Sequence, residues 1–98
     1  MATPLSALQK YILLTALDQG RTKVNRGTFI GYYRKYPKHV KSPGKVLAVS
    51  VDRLIARGLL TGYGEKTRTK LFIREVRLTP LGRRLAKKLQ GEQKRFTF

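Results

Sequence analysis

The sequence predicts a mainly helical α+β fold in which three helices are followed by a two-stranded β-hairpin and a last helix. Three observations carry this. Apolar residues recur at three- and four-residue intervals in four separate segments. The hydroxyl-then-proline pairs Thr3-Pro4, Ser42-Pro43 and Thr79-Pro80 precede three of those segments, where a helix cap and a first-turn proline belong. Between Gly58 and Thr79 the helical period gives way to a glycine-punctuated stretch rich in branched and aromatic residues.

The first helix is expected to start at Thr3 and Pro4. Leu5, Leu8, Ile12 and Ala16 recur at helical spacing, Leu13 and Leu17 widen the stripe, and Gly20 is the stop. Lys10 and Asp18 are the only charges in residues 1–20, so this helix is expected to lie against the other helices or a second subunit. Residues 21–24 read as a short extended connector. Asn25 or Thr28 starts the second helix, with Phe29, Ile30, Tyr33 and Tyr36 on one face, and Pro37 ends it.

A basic loop over residues 37–44 leads into the third helix, capped by Ser42 with Pro43 in its first position. Leu47, Val51, Leu54 and Ile55 form its apolar face, and Gly58 its left-handed stop. The opposite face carries Lys45, Val46, Val49, Asp52, Arg53 and Ala56.

Two strands follow, residues 59–63 and 71–78, joined by the charged stretch 65–70. Their alternation slips near Glu75, which leaves the facing of the second strand unassigned. Thr79 and Pro80 open the last helix, with Leu81, Leu85 and Leu89 on one side and Arg83, Arg84, Lys87 and Lys88 on the other. Residues 91–98 show no period and read as a flexible C-terminal tail, so residues 1–90 form the single predicted domain.

The charge narrows the function. The 98 residues hold 22 Lys and Arg against 5 Asp and Glu, a formal net charge of +17. Self-repulsion at that density costs stability, and a polyanion partner relieves it. Residues 21–58 and 59–98 hold all of the surplus and read as contact surface; residues 1–20 read as scaffold.

Other classes are disfavoured. Without cysteine there is no disulfide or thiolate site, and the single His39 has no carboxylates near it in sequence, so neither a metal nor a cofactor is expected. The five acids are scattered, with no phosphate loop or nucleophile elbow, and no enzyme activity is expected. The longest apolar stretch, Tyr11 to Leu14, cannot span a bilayer, and no signal-peptide pattern opens the chain. A cytoplasmic, nucleoid-associated protein without a membrane or small-molecule partner is the expectation.

Three helices followed directly by a hairpin is the winged helix-turn-helix plan. Two runs strengthen it: Val51-Asp52-Arg53-Leu54-Ile55-Ala56-Arg57-Gly58-Leu59-Leu60, and Val76-Arg77-Leu78-Thr79-Pro80-Leu81-Gly82-Arg83. Over residues 5–90 the chain resembles the winged-helix regulators of prokaryotes, in the broad MarR-like and PadR-like group. The former run resembles a recognition helix ending at glycine before the first wing strand. The latter is similar to the passage from the second wing strand into the C-terminal helix.

The resemblance implies binding to double-stranded DNA, as a transcription regulator with the third helix in the major groove. Lys45, Val49 and Arg53 would lead, with Ser42, Val46 and Ser50 beside them. Arginine can grip guanine with two hydrogen bonds, and valine can touch a thymine methyl group. Lys66, Arg68 and Lys70 at the hairpin tip would track the backbone or enter a narrow minor groove. Arg34, Lys35, Lys38 and Lys41 would hold flanking phosphates, which position the protein without reading sequence.

Some readings stay open. Tyr33 and Tyr36 fit a core stripe with Phe29, although tyrosines among bases can also stack on single-stranded nucleobases. Tyr32 and Tyr63 are less constrained by spacing and can contact the backbone, and His39 is most simply a loop residue. Leu81, Leu85 and Leu89 would pack on the first helix or, with Leu5 and Leu8, join two copies. The resemblance implies a homodimer through terminal helices. A sequence-independent architectural role, or an RNA-binding or ribosome-associated one, also fits the composition. The expected arrangement gathers the cations onto a single side of the molecule.

Overall fold

The computed structural model describes residues 4–20, 22–35, 42–66, 68 and 71–96, with the side chains of residues 34, 35, 71 and 92–96 outside that description. In chain order it contains α1 (Ala7–Asp18), β1 (Val24–Asn25), a 3₁₀ turn (Arg26–Ile30), α2 (Gly31–Lys35), α3 (Pro43–Ala56), β2 (Leu60–Lys66), β3 (Leu71–Leu78) and α4 (Pro80–Phe96). The mainly helical α+β class is as predicted.

α1 begins later than Thr3 and Pro4 suggest. Ser6 caps it, and its Oγ accepts from the Gln9 N–H at 3.1 Å while Gln9 Oε1 accepts from the Ser6 N–H at 2.9 Å. This reciprocal pair satisfies two otherwise orphaned donors, and Thr3-Pro4 offers no such pair. Gly20 ends α1 at φ 77°, as its position predicts. Leu8, Ile12, Leu13 and Ala16 bury the expected stripe, largely against α4.

The second helix is weaker than its apolar spacing suggests. Asn25 starts it by accepting from the Gly27 N–H at 2.8 Å, but the first turn is 3₁₀ and only Gly31–Lys35 is α-helical. The turn still delivers Phe29 into the core with no exposed surface. Tyr36 and Pro37 lie outside the described residues.

α3 starts at Pro43 and ends in a paired C-terminal motif. Gly58, at φ 76°, donates to the Ile55 carbonyl at 2.9 Å, and Leu59 donates to the Leu54 carbonyl at 3.0 Å. These two bonds satisfy carbonyls that the helix end would orphan and turn the chain directly into β2.

The sheet has three strands rather than two, in the order β1-β3-β2, all antiparallel. The connector read as merely extended donates Val24 and Asn25 to the free edge of β3, and Val24 fills the core opposite Val76. The slip of alternation near Glu75 is a β-bulge. Tyr63 faces Glu75 while Gly64 faces Ile73, so Arg74 is the extra residue. Gly64 is required there, because any Cβ would run into the Phe72 carbonyl.

Alternation then sorts the sheet. Leu60, Ile73, Val76 and Leu78 face the core, and Ile55 of α3 reaches toward Gly62 on the same side. Asn25, Thr61, Tyr63, Glu75 and Arg77 occupy the other side by register, and the Lys23 ammonium lies over the Tyr63 ring.

Thr79 joins α4 to the end of α3. Its hydroxyl donates to the Gly58 carbonyl at 2.6 Å and accepts from the Gly82 N–H at 2.9 Å. Gly82 lies so close to the Leu59 carbonyl that a Cβ has no room. α4 crosses Gly91 without a break and ends at Phe96, so a helix occupies much of the stretch read as an aperiodic tail.

Candidate nucleic-acid interface

α3 turns its apolar face inward and leaves a mixed face open. Leu47, Val51 and Leu54 are buried, and Lys45, Val46, Val49, Asp52, Arg53 and Ala56 are exposed. Val46 is 42% and Val49 47% exposed, so their methyl groups are open to contact. Helical spacing aligns Lys45, Val49 and Arg53 along one ridge, with Val46 beside it. Asp52 is the acid on this face, and no described residue pairs with it.

Two neighbours of this ridge behave differently from expectation. Ser50 is buried, at 9% exposure, and cannot join an open contact surface. Ser42 does occupy the N-cap position, but its side chain makes no cap bond; its backbone carbonyl accepts from the Lys45 and Val46 N–H groups instead, each at 3.1 Å. The hydroxyl is therefore not consumed by the helix.

The hairpin carries Lys66 and Arg68 in exposed positions, and Lys70 lies outside the described residues. Arg74 is occupied, its guanidinium bridging Glu65 at 3.2 Å. Both side chains are exposed, so this pair adds little stability but removes one cation from the free set. Arg34 and Lys35 are placed as the last two residues of α2, without their side chains; Lys38, His39 and Lys41 lie outside the described residues.

The described tyrosines each pack on a neighbouring side chain. Tyr32 packs edge-to-face on Tyr11 at 5.2 Å and on Tyr33 at 5.4 Å. Partial burial, and next the neighbouring Tyr32, raise the Tyr33 hydroxyl above its ordinary value. Tyr63 lies under the Lys23 ammonium, 4.1 Å from the ring centroid. Tyr32 is thus held within a cluster rather than free to reach outward.

The leucines expected to join two copies divide. Leu8 and Leu89 belong to the chain's own core, Leu5 and Leu85 pack half-buried against it, and Leu81 is 52% exposed. α1 and α4 need each other to close this small core, which is why Leu8 and Leu89 are spent within the chain.

Sequence reasoning missed a second cationic group. Arg77 on β3 and Arg83, Arg84 and Lys87 on α4 line a shallow concavity of about 500 Å³, together with Thr61 and Tyr63. This surface is on the far side of the sheet from α3, so the cations occupy two sides of the molecule rather than one. The bulge hid it: without knowing that Arg74 is the extra residue, Arg77 could not be placed on a face with Tyr63.

No family model matches the sequence, and no curated protein sequence matches it. Solved structures do share the architecture. The adhesin competence repressor AdcR from Streptococcus pyogenes superposes with a TM-score of 0.66 at 12% identity, over 94% of this chain and 60% of AdcR. A PadR family transcription regulator from Clostridium difficile gives 0.64 at 13% identity, over 93% and 91% of the two chains. The fold is a winged helix. The protein smu.1704 from Streptococcus mutans UA159 adds a third likeness, with a TM-score of 0.62 at 18% identity over 98% and 86%. The winged helix here spans 60% of the length of AdcR. In it, α3 leads directly into the hairpin of β2 and β3, which forms the wing. No described helix is long and apolar enough to cross a membrane.

Proposed function

We propose that this winged-helix chain binds double-stranded DNA as a transcription regulator, with α3 in the major groove and the wing along the backbone or in a narrow minor groove. The observation that carries the reading is the open face of α3, where Lys45 and Arg53 flank the exposed Val46 and Val49. Cations there hold phosphates or guanine edges, and the valines offer methyl contacts to thymine. The folds of AdcR and the PadR family regulator, whose names state repression and transcription regulation, support the same reading. Ser42, Lys66 and Arg68 extend the contact surface, and Arg34, Lys35, Lys38, Lys41 and Lys70 add phosphate contacts from α2, the following loop and the wing. Catalysis is no part of this function.

The protein acts in the cytoplasm, on the nucleoid. It works as a homodimer, joined by the part of the leucine set left open, Leu81 with Leu85 and Leu5. A two-fold pair would present two α3 helices to related half-sites.

The test is a set of titrations with selected DNA duplexes, a random DNA duplex and an RNA duplex, each at two salt concentrations. Preference for particular DNA duplexes is the expected result. Equal affinity for every DNA duplex would remove the regulator role and leave an architectural one. Preference for RNA would remove both.

A further inference from the structure

Resting on that DNA-binding reading, we infer that the chain carries a second phosphate-binding surface on the outer side of its sheet, so that a single molecule holds two DNA duplexes at once.

The surface is assembled from distant parts of the sequence. Arg77 projects from β3 beside Thr61 and Tyr63 of β2, and the start of α4 brings Arg83, Arg84 and Lys87 to the same concavity. Lys23, seated over the Tyr63 ring, adds a fifth cation at its edge. No carboxylate lines the concavity. Among the described residues, this sheet face carries two acids by register: Glu75 opposite Tyr63, and Glu65, which is paired with Arg74. None of the five cations forms an ion pair with a described residue.

Two physical features say that this charge has a use. Like charges crowded at one concavity repel, and the fold gains nothing from them without a counter-charge. The start of α4 is also the positive end of the helix dipole, where acids are favoured. Its first turn holds none, and Arg83 and Arg84 follow Gly82 directly. An anion seated there relieves both costs.

The shape and chemistry select the anion. Three guanidinium groups match phosphate oxygens with paired hydrogen bonds, and the Thr61 and Tyr63 hydroxyls can donate to others. The concavity is open and runs along the first turns of α4 as far as Lys87, which suits an extended phosphodiester backbone rather than an enclosed small anion. Unlike the α3 face, the described lining of this concavity has no exposed valine to meet a base, so it grips without reading sequence. It faces away from α3, and a duplex lying on each would be bridged.

The experiment immobilises one short duplex, adds the full chain, and measures capture of a second, labelled duplex. Wild type is expected to capture it. An Arg77→Gln/Arg84→Gln/Lys87→Gln variant is expected to remain on the immobilised duplex through α3, lower the salt slope of total binding by about 2–3, and capture the second duplex only at background. A Lys45→Gln/Arg53→Gln variant reports on the α3 face separately. If the triple variant fails to fold by circular dichroism, Arg84→Gln and Lys87→Gln singly should each cut capture.

Wild type that binds no duplex would overturn the DNA-binding reading and this one with it. Wild type that binds one duplex but captures no second overturns only the second surface. Capture by the triple variant equal to wild type would assign bridging to the α3 of a partner copy and likewise overturn it. So would capture of an RNA duplex in preference to DNA.

Discussion

The α3 face and the outer face of the sheet are both cationic, but they are built differently. On α3 the charges of Lys45 and Arg53 flank the open Val46 and Val49. On the sheet the charges of Arg77, Arg84 and Lys87 stand beside hydroxyls. Phosphate contacts set affinity and base contacts set specificity. Under the proposed function, the α3 face would therefore discriminate between sequences and the sheet face would only hold the backbone.

Both faces depend on one core, and breaking it should erase the difference. Leu54, on the buried face of α3, has no exposed surface. Leu54→Ala should cost about 2–5 kcal/mol in urea unfolding, because removing buried methyl groups leaves a cavity. Binding through both faces should fall together. If one face survived, the two would not share a cooperative unit.

Gly82→Ala should cost about 1–3 kcal/mol, since the added methyl meets the Leu59 backbone and must push α4 away from the end of α3. For a domain of this size, each kcal/mol lowers Tm by roughly 4–8 °C. An unchanged thermal midpoint would mean that the α3–α4 junction has slack.

Arg53→Ala sharpens the contrast between reading and holding. Loss of about 1–3 kcal/mol of discrimination between a preferred and a random duplex is expected if Arg53 meets a base. Uniform weakening across sequences would place it on a phosphate. Lys66→Ala/Arg68→Ala should lower the slope of log affinity against log salt by about 2. An unchanged slope would free the wing from DNA contact.

The smallest effect concerns the tyrosine cluster away from both faces. The Tyr33 hydroxyl is raised above its ordinary value of 10.0 by burial and then by Tyr32. The unfolded chain thus loses this proton first. Its contribution is fully present below about pH 10 and is lost as pH rises through the folded value. Tyr33→Phe should make the decline of stability above about pH 10 shallower, with no change in pH dependence near neutrality. Equal alkaline slopes would contradict the burial.

Much of this architecture was legible because local chemistry decided it. Gly20 and Gly58 marked helix ends through their left-handed backbone, and Thr79-Pro80 marked a start. The stripes of α1 and α3 went where their periods pointed. Capping failed at Thr3-Pro4 because Ser6 and Gln9 form a reciprocal pair that a proline rule does not weigh. β1 was missed because two residues make a strand only when β3 supplies an edge. At the candidate site, the α3 ridge could be read from helical spacing alone. The sheet face could not, since it needs a bulge, three strands and a helix start brought together in space.

The most direct test of the central claim is an NMR titration of the labelled chain with a DNA duplex the protein prefers, following backbone amides. Shifts at the lowest duplex ratios should begin on α3, between Lys45 and Arg53, and on the wing at Lys66 and Arg68. An α3 whose amides stay unmoved while the protein saturates with duplex would contradict the account.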